Sequence, residues 1–434
     1  MFIAHQNRAR AIASITAAIL LTCAGTSGTQ AATASKPKAT KAASITGVAK
    51  TDFALAGVKG TWTGAPTFTY KWYACTSAGT AKTAVPSGCL AIAGATKNAL
   101  TVTSAQEGKF LRFATTAKNA RGSVLSVSAT TARVTSPYTL LWSDEFNGAA
   151  GLPDTVQTSS GAANASLPWQ ATISGAGGGN RERQYYTDGV VQYNDDGSVA
   201  HYAVELDGQG HLALNAAKPQ ASNANHPATG TGTSCWYSNT CEFLSGRIDS
   251  AGRVGFKYGL LETRVKLPNN PSTWPAFWML GANYSDVGWP TCGEIDIMES
   301  AFTSQRAYTY FGSLHSLPDN GFGISKDAFS DSLYTEYHTF GLLRTPTKIE
   351  FRFDGKAYFT ITKAAATSST WAVGGTNRSW PFDQEFYMIY TLAMGGTLGG
   401  GNGGTVVPSA TGGTVSVDWV HFSSVNGEGQ VILH

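Results

Sequence analysis

Three carboxylates, Glu294, Asp296 and Glu299, fall within the segment Gly293-Glu294-Ile295-Asp296-Ile297-Met298-Glu299-Ser300. Ile295 and Ile297 alternate with Glu294 and Asp296, so on a β-strand these two acids project from one face and the isoleucines from the other. Strict alternation would send Glu299 to the isoleucine side; a bulge of one extra residue near Met298 returns it to the acid face. Like charges this close are costly and need a reason. A retaining glycosidase supplies one: it uses carboxyls about 5 Å apart, one attacking the anomeric carbon and one protonating the leaving oxygen. With the bulge, Glu294 and Glu299 lie about four strand steps apart, roughly 13 Å along the backbone, a gap that inward-leaning side chains narrow. Glu294 is then the nucleophile. Glu299 is the acid and base, its pKa raised by the neighbouring charge, and Asp296 orients Glu294 by a hydrogen bond. An inverting pair needs a wider gap that admits water. A calcium-binding acidic strand and a solvated strand edge are the non-catalytic alternatives.

The elements that must position these acids also read as strands. Leu261, Thr263, Val265 and Leu267 alternate with Glu262, Arg264 and Lys266, which describes a strand with one wet face. Ile349, Phe351 and Phe353 lead into Asp354-Gly355, a hairpin dipeptide, and Ala357, Phe359 and Ile361 continue beyond it. Phe386 to Leu392 and Val415 to Trp419 make further runs, with no amphipathic helix between them. Nearly three hundred residues of antiparallel strand need two stacked sheets, whose concave face can form a cleft for an extended polymer.

A chain of 434 residues suits two or three domains. Arg8 and Arg10 precede the apolar run Ala11 to Ala24, and Ala32-Thr33-Ala34 resembles a cleavage site; residues 1–34 therefore read as a signal peptide, too short to span a membrane. Cys23 faintly suggests a lipid-attachment box, which Thr22 suits poorly. Without those residues the formal charge falls from +3 to +1, because two arginines and no acids are lost. A secreted monomer with no nucleic-acid or membrane partner is expected, and a neutral polymer suits a chain only 14% charged. Residues 35–50, rich in Lys, Ala, Thr and Ser, read as a linker. Residues 51–136 show short alternating runs, with Phe68, Tyr70 and Trp72 on one face and Leu111 and Phe113 on another. With a Trp near a cysteine pair, they resemble a small immunoglobulin-like β-sandwich in which Trp62 and Trp72 are core residues. Residues 138–434 form the second domain. Beyond the leader the local pairs Cys75 with Cys89 and Cys235 with Cys241 leave Cys292 alone, as in an oxidising compartment. No Cys/His cluster has zinc spacing, so no catalytic cofactor is expected.

Trp274-Pro275-Ala276-Phe277-Trp278-Met279-Leu280, followed by Gly293 to Glu299, resembles glycoside hydrolase family 16, in particular its laminarinase-like members. The similarity runs from about 145 to 422. It takes in Asp144 to Gly148, Asn180 to Thr187, Ser245 to Ile248, Tyr258 to Pro268, Leu314-His315, His338 to Phe340, Trp380 to Gln384 and Val417 to Val420. The resemblance implies an all-β, β-jelly-roll (concanavalin-like) catalytic domain behind the immunoglobulin-like sandwich. It also implies retaining endo-hydrolysis, with Glu294, Asp296 and Glu299 in the roles above. Trp274 and Trp278 resemble aromatics on the donor side of the cleft, and Asn180 and Arg247 resemble polar substrate contacts. His315 either faces the cleft beside the acids or is a satisfied core histidine. Many relatives hold a structural calcium; here that would be Asp418 with main-chain oxygens near Glu145 and Gly210, unless Asp418 is simply a solvent-facing strand residue.

Three positions depart from the family pattern: Thr391 replaces a frequent Asn, Leu398 a frequent Trp, and Leu343-Arg344 a frequent Glu-Trp pair. The stretch Gly395 to Gly404 reads as a mobile loop that lacks the Lys-Ser/Thr of a phosphate cradle. The expected activity is endo-β-1,3-glucan hydrolysis of laminarin-like or mixed-linkage polymer. A galactan-cutting relative, a non-catalytic carbohydrate-binding protein and a surface adhesin are the alternatives.

Overall fold

The computed structural model describes residues 35–157, 164, 166–303, 306–318, 324–367, 379–400 and 404–434; the leader assigned to residues 1–34 lies outside them. The chain divides into two compact units at Thr135/Ser136.

In the first unit, Ser44–Thr46, Ala54–Val58 and Ala99–Thr101 form one sheet, and Cys89–Ala91, Thr67–Cys75, Phe110–Asn119 and Gly122–Val127 another. Leu55, Trp72, Leu100, Val102, Leu111, Phe113 and Val134 make the core. Trp62 is only half-buried, tilted against Phe68, so of the two tryptophans expected inside only Trp72 is. The Cys75–Cys89 disulfide ties paired neighbouring strands of one sheet. Residues 35–50 are not a linker: Lys38–Lys41 and Ser44–Thr46 are strands. Ala43 and Ala49 are buried, Ile45 packs on the same core, and the Ser126 hydroxyl accepts from the Ala43 N–H. Small alanines hide this segment's inward face from a hydrophobicity reading.

In the second unit the strands that matter for the site are β1 (Leu212–Ala217), β2 (Arg247–Asp249), β3 (Gly259–Lys266), β4 (Thr273–Gly281), β5 (Glu294–Ser300) and β6 (Thr309–His315). They continue with β7 (His338–Thr345), β8 (Lys348–Phe353), β9 (Lys356–Thr362), β10 (Phe386–Met394) and β11 (Gly412–Val425). One sheet runs β1-β11-β3-β7-β8-β9 and the other β2-β10-β4-β5-β6, each with shorter flanking strands to make ten. Between them lies one large apolar core, which joins Phe277, Met279, Ile295, Ile297, Met298 and Leu392 to Leu261, Val265, Phe340, Phe351 and Val420. Asp354 (φ 47°) and Gly355 (φ 72°) make the tight turn between β8 and β9, matching the right-handed twist of the paired strands. Tyr390 crosses the core: its ring stacks on Phe277 at 4.5 Å, and its hydroxyl donates to the Thr263 hydroxyl of the opposite sheet at 2.7 Å. The expected loop from Gly395 begins as a helical turn, Gly396–Gly399; residues 401–403 lie outside the described residues.

Candidate active site

The outer face of the second sheet is built in rows across β10, β4, β5 and β6. Arg247 on β2 stands beside Thr391, then come Ala276, Glu299 and Phe311. The next row is Ile389, Trp278, Asp296 and Ser313, and a third is Leu280, Glu294 and His315. The acids share a face because β5 bulges. Ala276 and Phe277 pair with Glu299 and Met298, but Trp278 pairs with Asp296, and the register against β6 shifts between Asp296 and Glu299. The extra residue lets Ile297 and Met298 both point inward, 0% and 1% exposed, and returns Glu299 to the outer face. His315 belongs to this face, opposite Glu294.

Each acid is held by named donors. The Trp274 indole N–H donates to Glu299 Oε1 at 2.9 Å and the Ser313 hydroxyl to Oε2 at 3.4 Å. His315 Nε2 lies 3.3 Å from Asp296 Oδ2 and 4.0 Å from Glu294 Oε1. Asp296 and Trp289 both act on the Glu294 carboxyl, the first raising and the second lowering its pKa. Burial pushes the Glu299 carboxyl up to about 7; the Trp274 bond opposes it and the Glu294 charge adds to it. Neighbouring charge was expected to be the cause, but desolvation is the larger one. Burial and the Asp296 charge raise Glu294, against His315; burial and the Glu299 charge raise Asp296. The triplet therefore titrates as one unit that resists carrying three charges. Polar atoms of Glu294, Asp296 and His315 lie within 4.8 Å of one another, ligand types that a divalent metal would accept.

Trp278 lies on the same face, with the Arg247 guanidinium 5.1 Å above its ring. Asn180 is exposed at the end of the Gly177–Gly179 turn, and its carbonyl accepts from Thr397 N–H at 2.8 Å. Two contributors were missed in the sequence. Trp289, 44% exposed, has its ring 6.0 Å from that of His315; the Trp-Pro ahead of Gly293 was the available signal. Ser313 was signalled by its alternation with His315.

The residues expected around a calcium meet elsewhere. On one side of β11, β1 pairs Leu212 with Val417 and the strand Tyr138–Asp144 pairs Asp144 with Val420, so Gly210 and Glu145 approach Asp418 from the two strand ends. Asp418 pairs with Arg264, and Glu145 lies 2.8 Å from His421. One carboxylate and main-chain oxygens are a donor set that fits calcium, provided Arg264 yields Asp418.

An all-β sandwich with buried carboxyls gathered on its outer face has the parts of a jelly-roll glycoside hydrolase, a class whose retaining members set two such groups against the scissile bond. Residues 192–421 match the model of glycosyl hydrolases family 16, and the chain belongs to that family. It is 30% identical over 291 residues to a β-glucanase of Rhodothermus marinus, covering 65% of this chain and 84% of that protein. It is 31% identical over 270 residues to a glucan endo-1,3-β-glucosidase of Cryptopygus antarcticus, covering 61% and 83%. Its fold is similar to the catalytic domain of an endo-1,3-β-glucanase (laminarinase) from Thermotoga petrophila, with TM-score 0.50 and 26% identity over 67% of this chain and 99% of that one.

Proposed function

We propose that the chain is a secreted, retaining endo-β-1,3-glucanase acting on laminarin-like or mixed-linkage β-glucan. The observation that carries this reading is the bulge at Ile297 and Met298, which brings Glu294, Asp296 and Glu299 to one face. Glu294 attacks the anomeric carbon while Glu299, protonated up to about pH 7, gives its proton to the leaving oxygen. In the glycosyl-enzyme the Glu294 charge is gone, so Glu299 more readily takes a proton from the water that attacks the same carbon, and configuration is retained. Asp296, braced by His315, orients Glu294. Trp274 and Trp278 stack on pyranose faces while Asn180 and Arg247 meet hydroxyls.

A reducing-end assay on laminarin, lichenan, curdlan, agarose and carrageenan, run beside Glu294→Gln, tests the reading. Release from laminarin that the variant lacks is expected. Cleavage of a galactan alone would transfer the assignment to the second reading. Binding without release would make the protein a lectin.

Three further readings complete the proposal. Secretion rests on residues 1–34; an N-terminus near residue 35 for protein recovered from the medium is its check. The immunoglobulin-like assignment of the first unit rests on its sheets around Trp72, and an experimental structure with another strand order would remove it. A structural calcium at Asp418, Glu145 and Gly210 rests on their register, and a melting temperature that EDTA leaves unmoved would discard it.

A further inference from the structure

We propose that Trp236 is a sugar-stacking platform at the far donor end of the cleft, a subsite for a β-1,3-linked glucosyl residue that makes the enzyme favour long chains. The inference rests on the glucanase reading above. Trp236 is 48% exposed, so a flat apolar ring is within reach of a ligand in solvent.

The ring is held as a platform would be. Cys235 and Cys241 are disulfide-bonded, and Cys235 and Ser238 exchange backbone hydrogen bonds across the tight turn that carries Trp236 and Tyr237. The Trp236 N–H donates to the Gly175 carbonyl, and its indole N–H donates to the Glu182 carbonyl at 2.8 Å. One edge of the indole rests on Gly177, where a Cβ would come within 2.5 Å of the ring and where φ is +76°. Tyr237 meets Trp236 edge-on at 5.3 Å; the Arg183 guanidinium covers Tyr237 at 3.5 Å and stands 6.0 Å from the Trp236 ring, leaving the sugar the other face. With its polar atom satisfied and its orientation fixed, the ring loses little freedom on stacking against a sugar.

The support also leads to the acids. Glu182 bridges to Gly395, Arg183 N–H donates to the Met394 carbonyl, and Asn180 holds Thr397. The resulting Gly396–Gly399 turn lies on Trp274: a Cβ on Gly396 would sit 3.2 Å from that indole, whose N–H is bonded to Glu299. The platform thus stands beyond Trp274 on the side away from β5. A β-glucan has the matching chemistry, with pyranose C–H faces for the indole and hydroxyls for the polar rim.

The test is kcat/KM on β-1,3-gluco-oligosaccharides of increasing length and on laminarin, for the wild type, Trp236→Ala and Trp236→Phe, with melting temperatures recorded. The expected loss in Trp236→Ala is smallest on the trisaccharide and grows to about tenfold on long chains, mainly through KM, with Phe recovering most of it. A loss equal at every length, or none at any length, overturns the platform while the glucanase reading stands. A wild type that turns over none of these substrates overturns both.

Discussion

Two strands on opposite sheets share one alternation of charge and hydrophobe, yet differ in what the charges do. In β8, Lys348, Glu350 and Arg352 alternate with buried Ile349 and Phe351, and Glu350 receives Lys348 at 2.9 Å and Arg352 at 2.8 Å. Burial alone would raise the Glu350 carboxyl, but Lys348 and Arg352 overcome it and hold the group below its ordinary value. In β5 the alternating charges have one sign, and burial raises all three carboxyls. Opposite signs neutralise a strand face; like signs leave it poised to exchange a proton. Periodicity alone does not separate a structural strand from a chemical one, whereas the sign of successive charges does.

The contrast is sharpest in activity. Glu294→Gln is expected to lower kcat on β-1,3-glucan by about 10³-fold or more. Glu350→Gln should leave kcat within about twofold and cost about 2 kcal/mol of stability, since Lys348 and Arg352 lose their shared partner. Initial rates beside urea melts measure both, and a Glu350 variant as inactive as the Glu294 one breaks the comparison.

Next in size is the pH dependence of stability. The Glu299 pKa is raised in the fold, so its favourable contribution is complete below about 4.5 and is lost as pH rises through about 7. Glu299→Gln should therefore exceed the wild type by up to about 3 kcal/mol at pH 8 and gain nothing at pH 4. Glu350 has the opposite sign: its contribution is present above its ordinary pKa and disappears as pH falls, so the penalty of Glu350→Gln should vanish in acid. Unfolding curves at pH 8 and pH 4, carried on to about pH 2 for Glu350 because its lowered group stays ionised below 4.5, decide, and parallel shifts for both variants would contradict the distinction. The smallest expected effect is kinetic: kcat/KM should fall about tenfold per unit above about pH 7 as Glu299 loses its proton, and an alkaline limb beginning well below 6 would remove Glu299 as the acid.

Much of this was legible in the sequence, for physical reasons. The two sheets followed from period-2 runs. The bulge followed from a conflict, since Glu299 has the wrong parity for its chemistry and Met298 the wrong parity for exposure. Where a residue's partner lies far along the chain, the sequence was silent. The side taken by His315 depends on its pairing with Glu294, and the strands in residues 35–50 depend on a core supplied by Trp72 and Phe113. Trp289 and Ser313 were missed because their signals, the Trp-Pro step and the alternation of Ser313 with His315, do not say which carboxylate each meets across the chain.

The Tyr390 hydroxyl, bonded to Thr263 through the middle of the sandwich, has a consequence for heat. A working surface whose backing layer is tethered to the opposite wall cannot soften alone. Thermal inactivation and global melting of the second unit should then coincide, with no temperature range in which the protein is folded yet has lost its grip on polymer.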